Sequence, residues 1–241
     1  MGMLQSKKTI DIVNLGRTRY KSAWDLQRAI FDLRAAGKIS DVLLLNEHEH
    51  VYTIGKTGDD NHLLASAGEL KSTGADVFHI DRGGDITYHG PGQLVGYPVL
   101  KLDEYYSDVH RYLRDLEEVI MRTLSEFGIE SRRDGDFTGV WVGSDKIAAI
   151  GVRVSHWVTM HGFALNVNTD LTYFDRIIPC GIFHKGVTSI ERLLKKPVPV
   201  EEVIPVVARC FGDVFGVVVR ETDAGEYVRS IDYVQNTECL Q

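Results

Sequence analysis

One cysteine, Cys180, has the surroundings of a reactive thiol rather than those of a core residue. It stands between a proline and a glycine, and a Pro-Cys-Gly segment cannot continue a regular helix or strand. A free thiol is only a few per cent thiolate at neutral pH, so a nucleophilic cysteine needs a cationic or basic neighbour. The polar candidates for that neighbour are Lys146, His89 and His161.

Each of these residues also has a plainer interpretation. A lone cysteine is usually a small buried hydrophobe, and Cys210, on the apolar face of a predicted helix, fits that description. Cys239 lies in the C-terminal tail, where no role is expected. Lys146 could be a solvated turn lysine, and the two histidines could be polar groups that end strands. The three cysteines, widely spaced, indicate neither a disulfide framework nor a zinc site.

A second stretch, Arg82 to Pro98, holds five glycines and two prolines among strand-forming residues. Glycine at this density indicates special backbone angles or a close approach of the backbone to something else. Gly90-Pro91-Gly92 predicts a tight turn, so we expect a β-hairpin with Arg82 and His89 near its ends. The alternative is a glycine-rich hairpin whose only role is to turn the chain.

Composition and missing motifs exclude several classes of function. A net charge of −7 argues against a nucleic-acid-binding protein. Neither phosphate-binding glycine pattern is present, so spacing does not indicate a nucleotide. The pair His48 and His50 lacks further metal ligands and is better explained as a polar turn. No apolar run is long enough to span a membrane and no signal peptide is evident, so we expect a cytoplasmic protein.

Periodicity predicts one α+β domain with a mixed or mostly antiparallel sheet and packed helices. Residues 1–8 would be an N-terminal extension, 9–219 the catalytic domain and 220–241 a weakly patterned tail, frayed at its end. The predicted helices run from a Thr18 cap to Ala36, from a Ser107 cap to Gly128, from a Thr188–Glu191 capping box, and over Val200 to Phe215, starting or kinking at Pro205. The predicted strands are Thr9 to Leu15, Val42 to Leu45, Val51 to Ile54, Asp76 to Ile80, Thr138 to Val142, Ile147 to Val154 and His161 to Val167.

Four motifs in this order carry a resemblance to a known family: Arg82 to Leu94, Lys146 to Gly151, His161 to Asn166, and Pro179 to Gly181. Together they resemble the lipoyl(octanoyl) transferases, also called octanoyltransferases or lipoate-protein ligase B, over about Thr9 to Phe215. The chain departs from the family pattern at Glu49, where proline is common, and at Lys56, where arginine is common. Both departures lie outside the catalytic motifs.

The resemblance implies a fold related to the catalytic domains of biotin and lipoate protein ligases. It also implies that Cys180 takes the acyl chain as a thioester and that Lys146 lowers the pKa of the thiol. The acyl site would be lined by Arg82, Gly83, Gly84, Asp85, Ile86, Thr87, Tyr88, His89, Ala149, Ile150, Gly151, His161, Gly162 and Phe163.

The implied reaction moves an octanoyl group from acyl carrier protein to a lysine ε-amine. The acceptors would be the lipoyl domains of 2-oxoacid dehydrogenases and the glycine cleavage H protein. Neither cofactor nor metal is implied, and we expect a monomer. The rival interpretations are an ATP-dependent lipoate or biotin ligase of the same fold, a cysteine acyl hydrolase, and a non-catalytic acyl-binding protein.

The partner proteins that the resemblance implies are generally acidic, and this chain also has a net negative charge, so long-range attraction between them is not expected. We therefore expect some basic residues near the acyl site to guide association, with ordinary solvated charges as the alternative. The candidates are Arg82, Arg153, Lys185, Arg132 and Arg133.

Overall fold

A computed structural model describes residues 7–178 and 186–238 of the chain. Its helices are α1 (Tyr20–Ala35), α2 (Ala67–Thr73), α3 (Val109–Glu126), α4 (Ile190–Leu194), α5 (Val200–Phe215) and α6 (Ala224–Glu238). Its strands are β1 (Thr9–Thr18), β2 (Val42–His48), β3 (Val51–Ile54), β4 (Asp76–His79), β5 (Ile86–His89), β6 (Gln93–Val99), β7 (Arg132–Arg133), β8 (Val140–Val142), β9 (Asp145–Ser155), β10 (Val158–Asn166) and β11 (Val218–Glu221).

The strands form one large sheet and one small sheet. The large sheet has the order β11-β1-β2-β6-β10-β9-β8-β7, and the small one β4-β3-β5. Strand β1 pairs in parallel with β2 and β11, whereas β2, β6, β10, β9 and β8 follow one another antiparallel. The sheet is therefore mixed and largely antiparallel, as predicted.

Helices cover both faces of the large sheet, which explains the continuous apolar run in β2. Leu43 and Leu45 point into a core shared with α3 and α5, and Val42 and Leu44 point into a second core shared with α1 and α6. Side chains alternate between the two faces of a strand, so a strand buried on both faces is apolar at every position. None of the helices in the described ranges is long and apolar enough to cross a membrane.

The predicted hairpin around Gly90-Pro91-Gly92 is wrong. The turn itself forms, with the Gln93 amide donating to the Gly90 carbonyl at 3.1 Å. However, β5 pairs with β3 in the small sheet, whereas both edges of β6 are occupied by β2 and β10 in the large one. Because β6 is buried on both faces, it belongs in the middle of the large sheet, and the turn carries the chain from one sheet to the other.

Three predicted helix starts are wrong by one residue. Thr18 still belongs to β1, and Arg19 precedes α1 without a side-chain cap. Asp108, rather than Ser107, accepts a hydrogen bond from the Arg111 amide at 3.0 Å and caps α3. Ser189 alone caps α4, so the predicted capping box is absent there.

The C-terminal part of the described chain is ordered by packing that local patterning does not reveal. Helix α5 runs through Pro205 without starting there. Strand β11 then adds to the edge of the large sheet beside β1, so pairing continues across the predicted boundary at residue 219. Helix α6 follows and buries Tyr227 and Ile231 in the core beneath α1. The segment after residue 219 thus contains a strand and a packed helix, because tertiary contacts stabilise a sequence with little pattern of its own.

Candidate active site

A cavity of about 480 Å³ lies where the small sheet and the loop after β4 meet β9 and β10 of the large sheet. Nearly all residues that the sequence predicted for the acyl site line it. They are Arg82, Gly83, Gly84, Asp85, Ile86, Thr87, His89, Ala149, Ile150, Gly151, His161, Gly162 and Phe163. Lys146, predicted as a catalytic residue, lines the cavity as well. The fold therefore brings three sequence-distant motifs onto one surface.

Tyr88 does not line this cavity. In a strand, neighbouring side chains point to opposite faces, and Thr87 and His89 face the cavity. Tyr88 instead packs in the small core with Tyr52, and its hydroxyl lies 2.7 Å from His50 Nδ1. Its inclusion in the acyl site is not supported by this arrangement.

At the glycines of the site, the missing side chain makes room for neighbouring backbone and not only for a ligand. A Cβ on Gly162 would lie 2.1 Å from the Gly96 carbonyl oxygen, and one on Gly151 would lie 2.9 Å from the Gly83 oxygen. Gly90 lies outside the cavity, where a Cβ would overlap the Tyr88 hydroxyl. Close backbone packing thus accounts for much of the glycine content.

The loop Arg82–Gly84 is fixed by hydrogen bonds on both sides. The Gly83 amide donates to the Val152 carbonyl at 2.9 Å, so that N–H is already used within the protein. The Arg82 guanidinium is buried and donates to the Thr53 carbonyl at 2.7 Å and to the Thr53 hydroxyl at 3.1 Å. Arg82 therefore connects the loop to β3 by side-chain hydrogen bonds.

His89 is a buried, neutral imidazole. Its Nδ1 lies 2.7 Å from Gln93 Oε1, an acceptor, so Nδ1 carries the proton and donates. Burial, reinforced by nearby His48, lowers the pKa of His89 to about 3. His89 therefore acts as an oriented hydrogen-bonding group, and burial opposes its acting as a cation beside a thiolate.

His161 lines the cavity in a left-handed backbone conformation, with φ of +60°. Its Nε2 lies 2.8 Å from Asp81 Oδ1, and the other Asp81 oxygen accepts from Arg153 at 2.8 Å. The hydrogen bond with His161, with help from Arg153, lowers the pKa of Asp81 to about 2. Burial lowers the pKa of His161, so the neutral ring donates from Nε2 to the ionised carboxylate. A left-handed φ within a strand is uncommon for a non-glycine residue, and such strained positions are often found at functional sites.

Lys146 and His161 lie at opposite ends of the cavity. His161 pairs across the sheet with Val152, which is six residues beyond Lys146 on β9. At about 3.3 Å per residue, their backbones are roughly 20 Å apart. The two residues, considered together in the sequence as partners of one thiol, are therefore separated by the length of the site.

The Lys146 ammonium lies over the Trp141 ring, 4.8 Å from its centre. The main chain of Lys146 holds the segment that follows the Pro-Cys-Gly motif. Its amide donates to the Gly186 carbonyl at 2.9 Å, and its carbonyl accepts from the Thr188 amide at 3.0 Å. Gly186 and Val187 accordingly form part of the cavity wall at this end.

The remaining cysteine and metal predictions have mixed outcomes. Cys180, Cys239 and Lys185 lie outside the described residues. Cys210 is buried in the core, as predicted, and burial raises the pKa of its thiol. Within residues 7–178 and 186–238, no cluster of three metal-ligating side chains is present.

The predicted basic residues are largely engaged with carboxylates. Arg133 lies 2.7 Å from Glu118, Arg153 lies 2.8 Å from Asp81, and Arg132 lies 3.4 Å from Asp134. With Arg82 buried as well, these side chains present less uncompensated charge than the sequence suggested.

Sequence reasoning missed several cavity residues that lie outside the quoted motifs or were given no role within them. The aromatic members are Tyr20, Tyr97, Phe137, Trp141 and Phe174. Two amides, Gln93 on β6 and Asn166 on β10, are paired across these strands. The aromatic residues carry no local signal, because they come from separate elements. The amides could have been noticed as polar residues directly beside buried apolar ones, Leu94 and Leu165.

Comparison with known proteins agrees with this arrangement. Residues 19–212 match the family model of the lipoyl protein ligase A/B catalytic domain. An octanoyltransferase of Rubrobacter xylanophilus is 51% identical over 219 residues, which cover 90% of this chain and 98% of that protein. An octanoyltransferase of Christiangramia forsetii is 50% identical over 225 residues, covering 86% and 96%.

The fold is also found among solved structures. A Thermoplasma acidophilum protein described as a lipoate protein ligase superposes with a TM-score of 0.70 at 18% identity, covering 94% of this chain and 92% of that one. This likeness confirms the predicted α+β fold of the lipoate ligase type. The family match, with half of all positions identical to known octanoyltransferases, shows that the chain belongs to the octanoyltransferase family.

Proposed function

We propose that this protein transfers an octanoyl group from octanoyl-acyl carrier protein to the ε-amine of a specific lysine on lipoyl domains. The acceptors are those of 2-oxoacid dehydrogenases and the glycine cleavage H protein. The proposed intermediate is a thioester on Cys180. Support comes from the octanoyltransferase relatives and from the cavity that the family motifs line.

The observation that carries this proposal is that Lys146, the predicted partner of Cys180, lines the cavity and is hydrogen-bonded to the described chain downstream of Cys180. The described chain is hydrogen-bonded on either side of residues 179–185. Upstream, the Ile178 amide donates to the His62 carbonyl at 2.8 Å. Downstream, Gly186 accepts from the Lys146 amide, and both Gly186 and Lys146 line the cavity. Lys146, the proposed partner of the thiol, therefore contacts the chain that follows the Cys180 segment at the cavity wall.

The proposed chemistry balances without ATP. The Cys180 thiolate attacks the donor thioester, a new C–S bond forms, and the C–S bond to the carrier protein breaks. The carrier thiolate leaves and takes up the proton of the Lys146 ammonium. The acceptor amine then attacks the enzyme thioester, an amide bond forms, and the Cys180 thiolate leaves. The first step exchanges one thioester for another, and the second is driven by formation of the amide.

Lys146 has two roles in this scheme. As an ammonium it favours the Cys180 thiolate, because an opposite charge nearby lowers the pKa of a thiol. As an amine it accepts the proton that the acceptor lysine loses. Its position over the Trp141 ring keeps the ammonium at the cavity wall, since a cation is attracted to the face of an indole.

The cavity wall supplies binding energy for the acyl chain. Ile86, Ala149, Ile150 and Phe163 give it apolar surface. An octanoyl group has six methylenes, and burial at about 0.8 kcal/mol each gives about 5 kcal/mol of favourable free energy. This is enough to distinguish an octanoyl donor from a short-chain one.

The test is intact-protein mass spectrometry after incubation with octanoyl-acyl carrier protein, without ATP. We expect a single octanoyl adduct that hydroxylamine removes, that is absent in Cys180→Ser and that persists in the matched control Cys210→Ser. Adding a lipoyl domain should discharge it onto the acceptor lysine. A requirement for ATP would favour a ligase, and release of free octanoate at the same rate without the lipoyl domain would favour a hydrolase. Either result would overturn the proposal.

A further inference from the structure

Two buried amides, Gln93 and Asn166, lie side by side in the cavity wall at its Lys146 end. Both are almost fully buried, with 1% and 4% of their surface exposed. They pair across β6 and β10, and the Gln93 amide nitrogen donates to Asn166 Oδ1 at 2.9 Å. A buried amide is costly unless it is hydrogen-bonded, so the hydrogen-bond partners of these two side chains show what they hold in place.

Gln93 fixes the orientation of Asn166. Its Oε1 accepts from His89 Nδ1 at 2.7 Å, and its nitrogen also donates to the Tyr88 carbonyl at 3.2 Å. The Tyr88 carbonyl can only accept, so the Gln93 nitrogen faces it, and the same nitrogen donates to Asn166. The Asn166 oxygen must then face Gln93, which turns its Nδ2 toward residues 186–188.

Asn166 holds residues 186–188 against β9, the strand that carries Lys146. Its Nδ2 donates to the Thr188 carbonyl at 3.0 Å, while the Thr188 amide donates to the Lys146 carbonyl at 3.0 Å. Both main-chain polar groups of Thr188 are therefore engaged, one by a side chain from β10 and the other by β9. Val187, next to Thr188, lines the cavity.

We infer that Asn166, oriented by Gln93, is a positioning residue that fixes the wall formed by residues 186–188 against Lys146. This inference rests on the proposed function, because it makes the geometry of the reactive end depend on a side chain that does not react. It assigns to the Asn166 amide a role in catalysis that is separate from stabilising the fold.

Asn168 provides a matched control two residues further along. It clamps a loop in the same manner, donating to the Val198 carbonyl at 2.6 Å and accepting from the Val198 amide at 2.9 Å. It does not line the cavity. Asn166→Leu and Asn168→Leu are neutral substitutions of similar size, so neither adds a charge that would itself change the pKa of a thiol.

The experiment follows the alkylation of Cys180 by iodoacetamide over pH, with Cys180 serving as a chemical reporter upstream of the clamped wall. We expect Asn166→Leu to raise the pH midpoint by about one unit, which corresponds to about tenfold slower alkylation at pH 7. The kcat for octanoyl transfer should fall with little change in KM for the donor. Asn168→Leu should lower the melting temperature yet keep the wild-type pH profile.

Coincident pH profiles for Asn166→Leu and Asn168→Leu would overturn the inference. If Asn166→Leu does not fold, the smaller Asn166→Ser serves the same comparison, since its hydroxyl is too short to replace the amide. Alkylation needs no octanoyl donor, so this result is independent of whether the wild-type protein forms an octanoyl adduct. Failure of the adduct to form would count against the proposed function instead.

Discussion

Two buried histidines make the stability of this protein sensitive to mild acid. Burial lowers the pKa of His48 to about 4 and that of His89 to about 3, whereas an imidazole in an unfolded chain has a pKa of about 6.5. Between these values the unfolded state binds more protons than the folded one. The stabilisation is therefore complete above about pH 7 and is lost as the pH falls toward the folded-state pKa values.

The size of the effect follows from these shifts. At pH 5 each histidine is almost fully protonated in the unfolded state and largely neutral in the folded state. This difference lowers the free energy of unfolding by about 2 kcal/mol per histidine. The two together remove about 4 kcal/mol of the free energy of unfolding between pH 7 and pH 5. Carboxylates contribute little in this window, because their ordinary pKa values lie near 4.

Urea unfolding at pH 7 and pH 5 measures this loss. His48→Gln removes one titrating group. It should therefore reduce the difference in the free energy of unfolding between pH 7 and pH 5 by about 2 kcal/mol, whatever the variant loses in stability at pH 7. His110, exposed on α3, provides the control, and His110→Gln should leave the difference unchanged. An undiminished pH difference in His48→Gln would refute the assignment of this acid sensitivity to the buried ring.

Three other sets of substitutions test the packing, the turn and the buried ion pair, each by urea unfolding. Gly96→Ala places a Cβ 2.2 Å from the Phe163 ring and should cost about 2 kcal/mol, most of which Phe163→Leu in the same chain should restore. Replacing His156 by Asn together with Trp157 by Gly should stabilise the protein by about 1–2 kcal/mol, because both residues have left-handed φ, +52° and +59°. Asp41→Asn should cost about 3 kcal/mol, since it breaks a buried pair with an arginine at 2.6 Å.

Each of these expectations has a result that would contradict it. Additive losses for Gly96→Ala and Phe163→Leu would show that the ring contact is not the cause, and Gly135→Ala, with nothing within 4 Å of the added Cβ, is the control. An unchanged unfolding midpoint in the turn variant would mean that the two residues are not strained. A loss for Asp41→Asn below about 1 kcal/mol, as for a surface pair, would mean that the carboxylate is effectively solvated.

The amino-acid sequence by itself determined the family, the fold class and nearly half of the residues that line the cavity. These came from motifs such as Arg82 to Leu94, in which special residue types occur at fixed spacing. The main strands and the long helices were also predictable, because burial on one face imposes a period on the sequence. The burial of Cys210 was predicted from the same helical periodicity.

Only the tertiary structure decided which strand pairs with which. The segment 86–99 has the local chemistry of a hairpin, yet its two strands join different sheets because β6 needs partners on both edges. The same holds for Tyr88, which faces a second core, and for α6, which is stabilised by burying Tyr227 and Ile231. Pairing and burial depend on residues far apart in the chain, and no local pattern encodes them.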